Sequence, residues 1–598
     1  MRSSLNNGLN AMELKVESRT AEFVRITVPD IASVLVRDRI RGFFPSHRPE
    51  AQYSILVAFH EFIAQRPVLL AYCEANEISV EEDILLTTRI ARFDDTKRAG
   101  REFTEDTLKL KLAEAGFSRE LKPFQMRNVL KMCTAMQGAS FSVPGAGKTT
   151  EALAYYFALR EDGDTLLVIA PKNAFCAWEE QLAECVKGGS RTFVRLTGGE
   201  ANARKLLRER HAYYLLNYQS LGRWQKTVGD YLVDNPGAFV FLDESHRAKN
   251  PHGVTADAIR KLAVLPKGKL LLSGTPMPQS PRDLIPQVSF LFPDEDIRED
   301  NVVERIQPVY VRTTAPELGI PDIHYEYHDI KLDSIEMAAY SRMRSLSAKA
   351  LADPNPKDAR YLRSLGRSVM RLLGFVANPA TLAAELAQFD PRLQVYLSSR
   401  DGKKIAYVCQ RARELASQRK KVLIWSSFVS NVELLATRLA DLGADYIHGG
   451  VQAGSEEDDG TRERKIARFH NDNRAMVLVA NPAAASEGIS LHKVCQHAIY
   501  LDRSFNAAHF LQSQDRIHRI GMPQGTFPTV EIVRCTGTID EVVDLRLNTK
   551  IDAMAQMLGD PSIHVDGGVF EEDDETEVES AGLSPDDCAS ILEHLNSI

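Results

Sequence analysis

The dominant pattern along the chain is a recurrence of short, uninterrupted apolar runs, each followed by polar residues and then by a stretch with helical spacing. Leu166-Leu-Val-Ile-Ala170, Ala238-Phe-Val-Phe-Leu242 and Lys269-Leu-Leu-Leu272 form one group. Lys421-Val-Leu-Ile-Trp425, Tyr446-Ile-His-Gly-Gly450, Met476-Val-Leu-Val-Ala480 and His497-Ala-Ile-Tyr-Leu501 form another. Such runs mark strands buried on both faces of a parallel sheet, and their alternation with helices predicts an α/β fold. Two tandem α/β domains are therefore expected, over 116–292 and 400–555, with a mostly helical insertion between them at 293–399. Ahead of them, Glu22 to Val28 alternates like a strand and Tyr53 to Asn76 has helical apolar spacing, which predicts a small α+β accessory domain over 1–115.

Length agrees with several cores, since 598 residues exceed what one core supports. The 44% hydrophobic and 26% charged content is that of a globular protein. No apolar run approaches the ~20 residues that span a bilayer, and the first residues carry no secretory apolar core, so a cytoplasmic protein without membrane partners is expected. Eight cysteines without a Cys-x-x-Cys pair suggest neither a zinc site nor a disulfide framework. The net charge of -8 is unevenly spread: ten acidic residues lie between Asp566 and Asp587, leaving the rest of the chain at +2. Residues 556–598 thus read as an acidic tail, expected to be disordered, over a slightly basic body.

The chemistry concentrates where the apolar runs end. Phe141-Ser-Val-Pro-Gly-Ala-Gly-Lys-Thr-Thr150 has the makings of a loop around a triphosphate. Gly145, Ala146 and Gly147 would bring backbone N–H groups to phosphate oxygens, Lys148 would reach the β- and γ-phosphates, Thr149 would hold magnesium, and Thr150 would open a helix aimed at the anion. The full pattern asks for glycine where Ser142 stands, so the run alone does not separate such a loop from a plain turn entering a helix. Asp243 and Glu244 supply the partner: carboxylates at a strand end, one for the magnesium shell and one for the attacking water. Gln125, just upstream, offers the flat amide that suits an adenine edge. Arg516 and Arg519 are three residues apart, a spacing that on a helix places both on one face, fit to neutralise phosphate charge. Lys357, Arg360, Arg363, Arg367 and Arg371 are spaced as a basic helical stripe, read either as a phosphate-backbone contact or as a solvated face.

In order, these residues resemble the Swi/Snf-type group of superfamily 2 helicase-like ATPases, the double-stranded DNA translocases. The marks are Leu121-Lys-Pro-Phe-Gln125, Pro144-Gly-Ala-Gly-Lys-Thr149, Leu216-Asn-Tyr-Gln-Ser220, Asp243-Glu-Ser-His-Arg-Ala-Lys-Asn250, Leu272-Ser-Gly-Thr-Pro276, Glu487-Gly-Ile-Ser-Leu491 and Gln512 to Gly521. The resemblance implies two RecA-like domains with ATP and magnesium between them. Gln125 would contact adenine, Gly488 and Gln512 would lie at the nucleotide, and Arg516 and Arg519 would act as arginine fingers. Departures are Ser245 for a common alanine, Ala484-Ala485-Ser486 for a glycine-rich lead-in, and Met522 for a frequent glutamine. The compactness resembles stand-alone bacterial members, some of which serve genome maintenance or phage defence. The implied activity is ATP-driven tracking along duplex DNA through sequence-independent backbone contacts. The alternatives are a nucleotide-gated clamp, with a protein partner at the N-terminal domain or the acidic tail, and a strand-separating helicase.

Overall fold

A computed structural model describes residues 12–19, 23–30, 32, 34–83, 86–87, 90, 103–186, 191–248, 253–276, 281–293, 295–351, 359–452, 458, 460–482, 490–505, 507–523, 525–560, 563, 583 and 585–597. The chain divides into two compact units whose main boundary falls between Arg312 and Thr313. None of the described helices is long and apolar enough to cross a membrane.

The first unit opens with a five-stranded sheet in the order Arg48–Ala51, Ser54–Ala58, Phe23–Thr27, Met12–Ser18, Ile78–Glu82. One face, with Leu14, Val16, Val24, Ile26, Ile55 and Val57, buries against the helix Phe59–Ala75. The expected helix from Tyr53 therefore begins six residues late. Ser54-Ile-Leu-Val-Ala58 pairs instead with Phe23–Thr27, where its apolar side chains suit a pleated, half-buried surface.

The first unit continues with a parallel sheet of seven described strands, in the order Tyr310–Val311, Gln137–Ser140, Gly268–Leu272, Ala238–Asp243, Thr165–Ile169, Tyr213–Leu216, Val194–Arg195. Its central strands are buried along nearly their whole length, as continuous apolar runs require. The helices Pro123–Ala135, Lys148–Leu159 and Phe175–Cys185 cover one face through Met132, Tyr155, Tyr156 and Trp178.

The second unit holds a parallel sheet of six described strands: His324–Ile330, Thr529–Cys535, His497–Tyr500, Val422–Trp425, Val477–Ala480, Asp445–Ile447. His324–Ile330, inside the stretch expected as a helical insertion, is an edge strand fully paired with Thr529–Cys535. The helix Ala359–Ala377 buries Leu365, Val369, Leu372 and Leu373 and exposes Arg363, Arg367 and Arg371, with Arg371 paired to Glu385. Lys357 and the Arg360 side chain lie outside the described residues.

The expectation of a wholly disordered acidic tail is corrected at its end. Pro585–Asn596 is a helix against Ser334–Ala350 and Ile539–Leu558, with Ile591 and Leu595 in the core. Asp587 is fully buried, its Oδ1 2.8 Å from Arg546 Nε and its Oδ2 2.6 Å from Lys550 Nζ. Two cationic donors offset the cost of burying that carboxylate, so one charge of the acidic run is held inside the fold with the helix.

Candidate nucleotide site

The site of the first unit stands at the carboxyl ends of its parallel strands, where ligands of α/β sheets collect. After Gln137–Ser140 the chain runs through a loop into the helix Lys148–Leu159. Gly145 and Gly147 both have left-handed backbone, φ 87° and 88°, which glycine adopts without penalty. A Cβ at Gly147 would also lie 2.4 Å from Gln125 Nε2, so a side chain there would displace the Gln125 amide from the loop. Ser142, where the full pattern has glycine, has no left-handed backbone. It is buried, with its hydroxyl 3.3 Å from that of Ser140, so the conformation needs no glycine there.

Lys148 Nζ donates to the Ser142 carbonyl at 2.8 Å, folded back over the loop that it would share with a phosphate. Thr149, on the first helical turn, is half-buried, and its hydroxyl has no hydrogen-bond partner among the described residues. Thr150 is buried and its hydroxyl is engaged, donating to Gln181 Oε1 at 2.9 Å. Gln125 is also buried. Its Oε1 accepts from the Lys122 N–H at 3.0 Å and its Nε2 donates to the Ala146 carbonyl at 3.0 Å. In this geometry the Gln125 amide props the loop, with one donor and one acceptor position left over.

Asp243 ends its strand with both oxygens engaged, Oδ2 accepting from Trp178 Nε1 at 2.7 Å and Oδ1 from the Glu244 N–H at 3.0 Å. Burial pushes its carboxyl up from the usual range, while Trp178 and the nearby Lys148 ammonium pull it down. Glu244 follows with φ 50°, a left-handed conformation that a non-glycine residue adopts at a cost of about 1–2 kcal/mol. Such an outlier points to a functional constraint. Its carboxylate lies 3.4 Å from Nδ1 of the buried His246, which is 3.0 Å from the Ser273 hydroxyl. The Ser273-Gly-Thr-Pro276 turn is thereby tied to the carboxylate pair. Ser245 is accommodated by Gln287, whose Oε1 accepts its buried hydroxyl at 2.6 Å and whose Nε2 donates to the carbonyls of Pro276 and Asp283.

Glu151 went unrecognised in the sequence, because a glutamate in a first helical turn ordinarily reads as a surface residue. Here it is fully buried, one helical turn past Lys148, taking hydrogen bonds of 2.9 Å from Asn128 Nδ2 and the Ser140 hydroxyl. Desolvation outweighs these donors and pushes its carboxyl up to about 7.

In the second unit, Asp502 accepts from the Ser426 hydroxyl at 2.5 Å and the Ser427 N–H at 2.7 Å, joining two strand ends. The helix Ala507–Gln514 carries a half-buried Gln512. It ends before the arginines, so the expectation of one helical face is corrected. Residues 515–517 form turns, the Arg516 carbonyl accepts from the Leu491 N–H, and Gly521 is left-handed. Arg516 is 9% exposed and Arg519 half-buried; burial, and after it the Arg519 charge, lowers the pKa of the neighbouring His492 imidazole. Gly488 lies outside the described residues.

Comparison with known proteins places two families on the chain. The SNF2-related domain matches residues 141–296 and the helicase conserved C-terminal domain matches residues 403–521. The human DNA annealing helicase and endonuclease ZRANB3 is 19% identical over 69% of this chain and 38% of its own length. The Mus musculus chromodomain-helicase-DNA-binding protein 1-like is 23% identical over 68% of this chain and 46% of its own length. The chain thus spans less than half the length of these curated relatives. Among solved structures, it is similar to the Sulfolobus solfataricus SWI2/SNF2 ATPase core in complex with dsDNA, at 19% identity and TM-score 0.32, covering 80% of this chain and 98% of that one. The two family matches stand in the expected order and contain Lys148, Asp243, Glu244, Arg516 and Arg519, with Gln125 just ahead of the first: the chain carries an SNF2-related domain followed by a helicase conserved C-terminal domain.

Proposed function

We propose that this protein hydrolyses ATP to move along double-stranded DNA. The observation that carries the reading is the arrangement at the strand ends of the first unit. A loop with two left-handed glycines delivers Lys148 within electrostatic reach of Asp243, beside a backbone-strained Glu244. The residues fit a magnesium–triphosphate: the loop backbone and Lys148 would hold phosphates, and the unpartnered Thr149 hydroxyl with Asp243 would hold the metal. When bound, the metal would offset charge on the transferring phosphoryl group. Glu244 would orient and deprotonate water, with His246 steadying its carboxylate. Gln125 would set the loop and use its remaining donor and acceptor toward the base. The proposal assigns Arg516 and Arg519 to the charge developing on the γ-phosphate, with Gly488 and Gln512 nearby.

Duplex DNA is the proposed track, engaged through its backbone and so with steep salt dependence. ATPase rates with and without duplex DNA test the reading, using wild type and Lys148→Ala. DNA stimulation in wild type and its loss in the variant are expected. A rate indifferent to DNA would overturn the motor, and an unchanged variant would overturn the site.

A further inference from the structure

The first unit carries an open cleft of about 640 Å³ that the nucleotide site does not use. Its walls are Arg19 from the N-terminal sheet, Arg204 and Arg208 from the helix Glu200–Arg208, Arg210 just beyond it, and Lys226 from the helix Gln225–Asp234. Topology separates it from Lys148 and Asp243. Residues 208–210 lead into the strand Tyr213–Leu216, and 234–235 lead into Ala238–Asp243, so the cleft opens at the amino ends of strands of the parallel sheet whose carboxyl edge carries Asp243 and the nucleotide loop. At roughly 3.3 Å per residue, a six-residue strand keeps the two sites nearly 20 Å apart.

Five cations line the cleft against two carboxylates, Asp230 and Asp234. Among the described residues Arg208, Arg210 and Lys226 make no ion pair, so their charge is not spent within the fold. Arg204 is held in place, its Nη2 3.2 Å from Glu200 Oε1 and 3.1 Å from the Thr227 hydroxyl. Arg210 has φ 54° directly after a helix, as Glu77, Met136 and Arg419 do after theirs, a position that glycine fills without strain. Leu207, Tyr231 and Val233 supply an apolar floor.

We propose that this cleft binds a small phosphorylated anion, its di- or triphosphate gripped by Arg208, Arg210 and Lys226 and the remainder resting on Leu207 and Tyr231. The volume lies within the roughly 300–1,000 Å³ of small-molecule sites. Guanidinium forks suit clustered phosphate oxygens better than isolated ones. A duplex backbone needs an extended cationic track, whereas here Asp230 and Asp234 interrupt the cationic lining.

The test titrates inorganic triphosphate into the full chain by calorimetry, in Lys148→Ala to disable the nucleotide loop, with Arg210→Gly and Lys226→Gln added singly and together. Lys148→Ala should retain one binding event. Each added substitution should weaken it by about tenfold, the scale of one charge-assisted hydrogen bond. Arg210→Gly should raise the urea midpoint at the same time, which a merely structural arginine would not do while losing binding. With Lys148 intact, the double variant should keep the basal ATPase rate. The proposal is overturned if Lys148→Ala binds no triphosphate, if binding ignores Arg210 and Lys226, or if a short DNA duplex displaces the triphosphate, which would make the cleft a nucleic-acid contact.

Discussion

Replacing Glu151 with glutamine should make the first unit more stable above neutral pH. The carboxyl is fully buried, held by the Asn128 amide and the Ser140 hydroxyl, and displaced from the ordinary 4.5 to about 7. An unfolded chain releases this proton near 4.5, whereas the folded one keeps it until about 7. The stability tied to the proton is therefore complete below about 4.5, declines as pH rises and is gone above about 7. At 1.36 kcal/mol per pH unit, the displacement corresponds to about 3 kcal/mol. Glutamine keeps an acceptor for Asn128 and presents a donor to Ser140, whose hydroxyl then accepts, so it imitates the protonated acid at every pH. Urea unfolding of wild type and Glu151→Gln from pH 4.5 to 8, with hydrogen exchange of the helix Lys148–Leu159 as the local probe, measures the gap. It should be near zero at pH 4.5 and grow to about 3 kcal/mol in favour of the variant by pH 8. A constant gap, or a variant less stable at pH 8, would refute the reasoning.

Other consequences follow from the same geometry. Glu244→Gln should retain ATP binding and lower the hydrolysis rate by about 10²–10⁴-fold, measured by single-turnover kinetics beside nucleotide titration. Gly147→Ala puts a Cβ 2.4 Å from Gln125 Nε2 at φ 88° and should abolish nucleotide binding, seen as loss of the ATP-dependent rise in melting temperature. Ser245→Ala leaves the buried Gln287 Oε1 without its donor and should cost about 1–3 kcal/mol in urea unfolding. Asp587→Ala strips the buried Lys550 of its carboxylate and removes the partner of Arg546 Nε, a loss of about 3–5 kcal/mol that should release the C-terminal helix to limited proteolysis.

Much of the fold was legible because parallel strands buried on both faces must be apolar throughout: Thr165–Ile169, Ala238–Asp243 and Val477–Ala480 lie within a residue or two of their runs. Gln137–Ser140 was not, although it leads into the nucleotide loop. Gln-Gly-Ala-Ser has no apolar signature, and its burial comes from flanking strands and from Met132 packed where a Gly138 side chain would stand. His324–Ile330 was missed because its pairing partner lies some two hundred residues further on. Within the site, motif spacing marked Lys148, Asp243 and Glu244. What it did not mark were contacts made across the fold: Trp178 on Asp243, Gln287 on Ser245, Asn128 on Glu151. Thr150 and Gln125 were legible as positions, but not the protein partners of their hydrogen bonds, Gln181 for Thr150 and the Ala146 carbonyl of the loop for Gln125. Asp587 was hidden by composition, since a run of acids does not reveal which one meets a buried lysine.

The central claim is movement along duplex DNA driven by ATP. Displacement of a third strand from a triplex placed along a duplex tests it most directly. The account predicts displacement that requires ATP, slows steeply with salt, disappears in Lys148→Ala and Glu244→Gln, and leaves the underlying duplex paired. No displacement by a wild-type protein that hydrolyses ATP, or separation of the duplex strands themselves, would contradict it.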